Sequence, residues 1–232
     1  MPRDFDMHKS VQTRTKKVLE NLRFALSPAA SEQSIAAEAT RRLADAGMPH
    51  TWYYDCPALV LAGQRSVVSV PGAKYAPCDE PIGENTVVTV DLSPKDGEIW
   101  GDCARTFFVE DGVYSDRPQE AEFRDGYKCL TLLHARMREF VTVDTTFRSL
   151  YEYANDLIQS YGFENLDFRN NVGHSIETCL ANRRFIDSIT FEKLSSSDYF
   201  TFEPHIRQRN GRWGLKHEDI YYFDQDGSLA PL

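Results

Sequence analysis

Two runs of strand-forming residues, TVVTVDLS at 86–93 and EIWGDCARTFFVEDG at 98–112, flank the turn residues Pro94, Lys95, Asp96 and Gly97. Apolar β-branched and aromatic residues on both sides of a Pro/Gly turn read as an antiparallel hairpin, which commits the chain to a sheet. Each arm carries one acid, Asp91 and Asp102, eleven residues apart. On a single strand that odd separation sets them on opposite faces, whereas a turn between them folds both onto one face. Two carboxylates so placed repel each other. Their neighbours Val88, Val90, Leu92, Ile99 and Trp100 make an unpaired charge costly. A positive group is therefore expected between them, either a metal ion or an arginine such as Arg105.

The same puzzle recurs later in the chain. Glu203 lies in FTFEPHI and Glu218 in GLKHEDIYYF, again among strand-like apolar residues, and His174 follows the NNVG of NNVGHSIE. One such acid is commonplace; four with a histidine ask for a common cause. Two divalent ions would balance four carboxylates, and oxygen ligands with a single imidazole suit Mn, Fe(II), Co or Zn, with Mn or Fe favoured. A pair of ions roughly 3.5 to 4 Å apart can activate a water and polarise a substrate oxygen.

Charge narrows the partners. The chain has 232 residues and a formal net charge of -9, and no basic run that would track a nucleic acid backbone. No stretch approaches the roughly 18 to 20 apolar residues of a membrane span. The N-terminus has no apolar core for export, and the five cysteines, odd in number and without a CxxC pair, read as reduced thiols of a cytoplasmic protein.

Around the hairpin, apolar spacing predicts an amphipathic helix from about Lys9 to Leu26 and a second after Ser31, capped by Ser31 or Ser34 and ending at Gly47. Short strands are expected between Thr51 and Val70, a loop from Pro71 to Asn85, helices near 119–141 and 146–161, and strands at YFTFEP and HEDIYYF. The order reads as one α+β domain at 31–232, preceded by an N-terminal arm and helix at 1–30. The arm would pack on the domain or on a second subunit in a homodimer.

At these motifs the chain resembles the pita-bread metallopeptidases, the group of methionine aminopeptidase, aminopeptidase P, prolidase and creatinase. VDLSPKDGEIWGDCARTF, NNVGHSIE, FTFEPHI and GLKHEDIYYF stand in the family's order, and the likeness runs from Ser31 to the C-terminus. It implies two similar α+β halves around a curved antiparallel sheet. Asp91, Asp102, His174, Glu203 and Glu218 would be the ligands of two divalent ions, with Asp102 and Glu218 bridging and Glu203 also moving a proton. The family's two peptide-handling histidines have no counterpart: the loop before Asp91 reads PGAKYAPCDE, and the position after His174 that would hold the other is Ala181.

Substitutes are sought nearby. His205 shares a strand face with Glu203 and is a catalytic candidate, alternatively a structural hydrogen-bonder, while Lys74, Tyr75, Arg207 and His217 are candidates for binding substrate. Glu177 reads as an extra acid or a solvated one, Arg183 and Arg184 as a carboxylate-binding or a solvated pair, and Cys103 as core packing. The expected activity is metal-dependent hydrolysis of a short peptide or small amide. The alternatives are creatinase-like or lyase-like C–N bond chemistry on a small molecule and, last, a non-catalytic binding module.

Overall fold

The computed structural model describes residues 2–232. Helix α1 (Phe5–Asn21) and helix α2 (Glu32–Asp45) cover the first sheet. The start of α2 follows from its capping box: Ser31 Oγ accepts from the Ser34 amide while Ser34 Oγ accepts from the Ser31 amide. The first half contains β1 (His50–Thr51), β2 (Ala58–Ala62), β3 (Thr86–Leu92), β4 (Pro94–Asp96), β5 (Ile99–Trp100), β6 (Cys103–Glu110) and β7 (Val113–Ser115). β2, β3, β6 and β7 form an antiparallel sheet in that order. The expected hairpin is present as β3 and β6, but its connection is more than a turn. β4 and β5 pair with each other, and β4 also pairs with β1, forming a small sheet of its own.

The second half repeats the plan. Helices α3 (Ala121–Phe140) and α4 (Phe147–Ser160) cover two three-stranded antiparallel sheets built from β8 (Phe163–Asn165), β9 (Phe200–Phe202), β10 (His205–Gln208), β11 (Gly214–Lys216), β12 (Asp219–Phe223) and β13 (Leu229–Pro231). Strands β10 and β12 are the centres of these sheets.

Each half has its own apolar core. Val11 and Leu19 of α1, Leu22 just beyond its end, and Ile35 and Leu43 of α2 pack on Val88, Val90 and Leu92 of β3. Phe123, Leu130 and Leu133 of α3 and Leu150 and Ile158 of α4 pack on Phe200, Phe202 and Leu215. The helix of the N-terminal arm is thus part of the first core, and Cys103 is buried in it as expected. The halves meet along β6, where the Glu218 amide donates to Ala104 O at 2.9 Å and Thr106 Oγ1 bonds both main-chain groups of Lys216. Among the described residues no helix is long and apolar enough to cross a membrane.

Candidate metal centre

Strand register explains why the acids converge. Asp91 on β3 is opposite Ala104 on β6, and Ala104 bridges Glu218 from the other half. Cross-strand partners share a face, so Asp91 and Glu218 form a row with Ala104 between them. Asp102 lies two residues before Ala104, hence on the same face by alternation. Its main chain is pinned from behind: Gln12 Nε2 of α1 donates to Asp102 O at 2.6 Å, and the Asp102 amide donates to Gln12 Oε1 at 3.0 Å.

His174 and Glu203 arrive as a second pair. The Thr201 amide donates to His174 O and the Glu203 amide to Val172 O, at 2.7 and 2.8 Å, so the extended stretch 172–174 runs alongside β9 and its continuation. That approach requires Gly173. Its φ is +153°, and a Cβ there would lie 2.2 Å from Thr201 O.

All five predicted ligands line one cavity of about 130 Å³. Their ligand atoms fall into two groups sharing Glu218, one with Asp102 and His174 and one with Asp91 and Glu203, and within each group the atoms lie within 4.8 Å of one another. His174 Nδ1 is 2.9 Å from Ser175 O, which can only accept, so Nδ1 carries the proton and Nε2 presents its lone pair. Burial pushes the imidazole down to about 4, so the ring is neutral. Nε2 nevertheless faces two further acceptors, Asp102 Oδ2 at 3.4 Å and Glu203 Oε1 at 3.8 Å.

Asp102 and Glu218 are 2 % and 1 % exposed. Asp102 Oδ2 and both Glu218 carboxylate oxygens have no hydrogen-bond partner. Burial first, then the neighbouring acids, pushes both carboxyls well above the usual range. Converging buried acceptors without a donor fit a divalent cation, and a histidine whose other nitrogen donates to a main-chain carbonyl is the usual arrangement of a metal ligand.

The site also contains Lys216, which the sequence reading passed over. Its Nζ is 2.6 Å from Asp91 Oδ2 and 2.8 Å from Glu203 Oε2. Burial works against its charge, but Asp91, Glu203 and Glu218 hold its pKa well above the ordinary lysine value. In return, although burial pushes Glu203 upward, Lys216 keeps it below the usual glutamate range. Arg105, the other cation considered for the aspartates, is one residue out of phase with Asp102 and Ala104. It bonds Asp219 at 2.9 and 3.1 Å instead.

The remaining candidates divide. His205 lines the cavity opposite Lys216 in the β10–β11 pair, its Nε2 2.8 Å from Ser66 O. The substrate-binding expectations for Lys74, Tyr75, Arg207 and His217 need correcting, because none of them lines the cavity. Lys74 is exposed. Tyr75 Oη is tied to both main-chain groups of Val60, and Arg207 pairs with its cross-strand neighbour Glu164. His217 bonds Asp219 at 3.0 Å and packs at a tilt against the His134 ring. His134, His217 and Asp219 also cluster, but Arg105 and Lys16 already neutralise Asp219.

Arg183 and Arg184 separate in the same way. Arg184 is paired with Glu177 and with Ser196 and Ser197, which accounts for both Arg184 and Glu177 as structural. Arg183 lines the cavity, its guanidinium 5.2, 5.5 and 5.3 Å from the ring centroids of Trp52, Tyr53 and Phe185. Its buried Nε has no partner.

Residues 6–225 match the profile of metallopeptidase family M24. A probable dipeptidase, PepE, of Mycobacterium tuberculosis is 24% identical over 206 residues, 88% of this chain and 50% of the relative. The chain therefore spans about half the length of the curated relatives it matches. Among solved structures, the X-Pro aminopeptidase of Thermotoga maritima superposes with a TM-score of 0.80 at 16% identity, over 100% of this chain and 61% of that one. The prolidase of Pyrococcus furiosus gives 0.78 at 17% identity, over 100% and 64%.

Proposed function

The chain belongs to metallopeptidase family M24 and has the pita-bread fold, and from that premise we propose that it is a metal-dependent hydrolase of short peptides or small amides, related to the Xaa-Pro peptidases. The observation that carries this reading is the convergence of Asp102 Oδ2 and the Glu218 carboxylate, buried and without donors, on the lone pair of a neutral His174. Asp91, Asp102, His174, Glu203 and Glu218 would hold the metal. When bound, divalent ions there would polarise a substrate carbonyl and lower the pKa of a water; the oxygen-rich ligand set favours Mn or Fe.

The protein groups have separate tasks. Glu203, kept ionised by Lys216, accepts the proton released as the carbonyl is attacked. His205, with Nε2–H given to Ser66, keeps Nδ1 as an acceptor for a substrate N–H. The rings of Trp52, Tyr53 and Phe185 form an apolar wall, and the Arg183 guanidinium on that wall binds a substrate carboxylate. All five cysteines are free, which supports a cytoplasmic setting.

A second reading has its own support. Ala181 is exposed on a short 3-10 turn, and Lys74 is exposed at the end of another. Neither place supplies the imidazole that the family's peptidases use, which favours a small-molecule amide or C–N substrate. Mn-loaded protein should be assayed with Xaa-Pro dipeptides and N-terminal Met peptides beside small amides and guanidino compounds. Turnover of peptides supports the first reading, turnover only of the others supports the second, and no turnover in any class contradicts both.

A further inference from the structure

Lys216 is inside the acid cluster, on one side of it. Its ammonium touches Asp91 Oδ2 and Glu203 Oε2 and lies 3.8 Å from Glu218 Oε2, and these three carboxylates are the second of the two ligand groups. The first group, Asp102, His174 and Glu218, holds no cation of its own, and its carboxylate oxygens are the ones without donors. One half of the cluster thus contains a tethered positive charge, and the other half contains a demand for one.

The tether is firm. The Lys216 amide donates to Thr106 Oγ1 at 2.8 Å, Thr106 Oγ1 donates to Lys216 O at 3.0 Å, and Lys216 pairs across the sheet with His205. Its side chain is largely buried, so the ammonium has no solvated position to swing to without losing its carboxylate partners. Charge points the same way. Four carboxylates and one ammonium leave three negative charges, and one divalent ion leaves one, so a second ion meets much less attraction than the first.

We propose that the centre is asymmetric: one divalent ion is held tightly by Asp102, His174 and Glu218, with Glu203 Oε1 at hand, while the Lys216 ammonium occupies the Asp91–Glu203–Glu218 position. A second ion then has to compete with Lys216 and binds at least 100-fold more weakly than the first. The assignment rests on the metal-centre reading above and replaces one of the two ions that the carboxylate count alone suggests.

Calorimetric titration of chelator-stripped full-length protein with Co(II) at pH 7.5, together with metal analysis after desalting, tests it. The wild type should retain one ion per chain, with any second ion at least 100-fold weaker. In Lys216→Met the second-ion affinity should rise at least tenfold, whereas Lys216→Arg, which keeps the charge, should behave as wild type; circular dichroism checks that both fold. A second wild-type ion within 100-fold of the first would overturn the asymmetry while leaving the metal centre intact. Unchanged second-ion affinity in Lys216→Met would do the same. No retained ion in the wild type would overturn the metal centre itself. Should Lys216→Met not fold, Lys216→Gln, which also removes the charge, is titrated in its place, and the same two results decide.

Discussion

At the residue scale the unit of the account is a buried acid without a donor. Asp102→Asn keeps the size of the side chain but presents a neutral amide to the lone pair of His174, and a divalent ion loses one of its charged ligands. Metal content should fall at least tenfold, measured by elemental analysis on protein purified without chelator; unchanged content would remove Asp102 from the site. Arg183→Gln should leave metal content unchanged and raise KM at least tenfold for substrates with a free carboxylate but not for their amides, because only the former need a guanidinium partner. The acids were legible in the sequence because strand-forming neighbours leave a charge no water to turn to. Lys216 carried a weaker signal: it lies two residues before Glu218. Its meaning depends on Asp91, 125 residues away, and only the folded sheet brings that pair together.

At the scale of elements, α1 acts on the site without touching the cavity. Gln12 satisfies both main-chain groups of Asp102 from the helix face, so Gln12→Ala leaves a buried N–H and C=O unpaired. It should destabilise the protein by about 2 to 4 kcal/mol and weaken metal binding, as read from chemical denaturation and titration. A loss of stability with unchanged metal affinity would show that Gln12 supports the fold and does not position Asp102. A helix was readable from the apolar spacing of residues 9–26, although α1 runs from Phe5 to Asn21 and 22–25 is a 3-10 turn; the role of Gln12 was not readable, since its partner is 90 residues away. The hairpin shows a similar limit. Its long arms follow from composition, but β4 and β5, of three and two residues, exist because β1 supplies a distant partner, and no local pattern announces that.

At the scale of the whole molecule, burying these groups makes stability depend on pH and on metal together. Asp102 and Glu218 have pKa values raised well above the usual carboxyl range, first by burial and then by neighbouring acids, Asp91 and Glu203 for Asp102, and Asp102 and Glu203 for Glu218. A raised folded-state pKa gives stability that is present at low pH and lost as pH rises through the folded value. His174 and His205, both pushed down to about 4 by burial, act in the opposite sense, but only between about 4 and the ordinary histidine value near 6.5. Above that value they are neutral in both states. The metal-free wild type should therefore lose more melting temperature than metal-free Asp102→Asn does as pH rises above the ordinary carboxyl range, because the variant has no acid there to ionise. Saturating metal should abolish or reverse that slope and, at about a thousand times Kd, add about 4 kcal/mol. A metal-free wild type no more sensitive to rising pH than Asp102→Asn would contradict the placement of the acids.

The most direct measurement is anomalous diffraction at the Mn edge from crystals grown with Mn(II). The strongest peak should lie within coordination distance of Asp102 Oδ2, His174 Nε2 and Glu218. A map without a peak there, or with its only peak at His134, His217 and Asp219, would contradict the metal centre on which the proposed function stands.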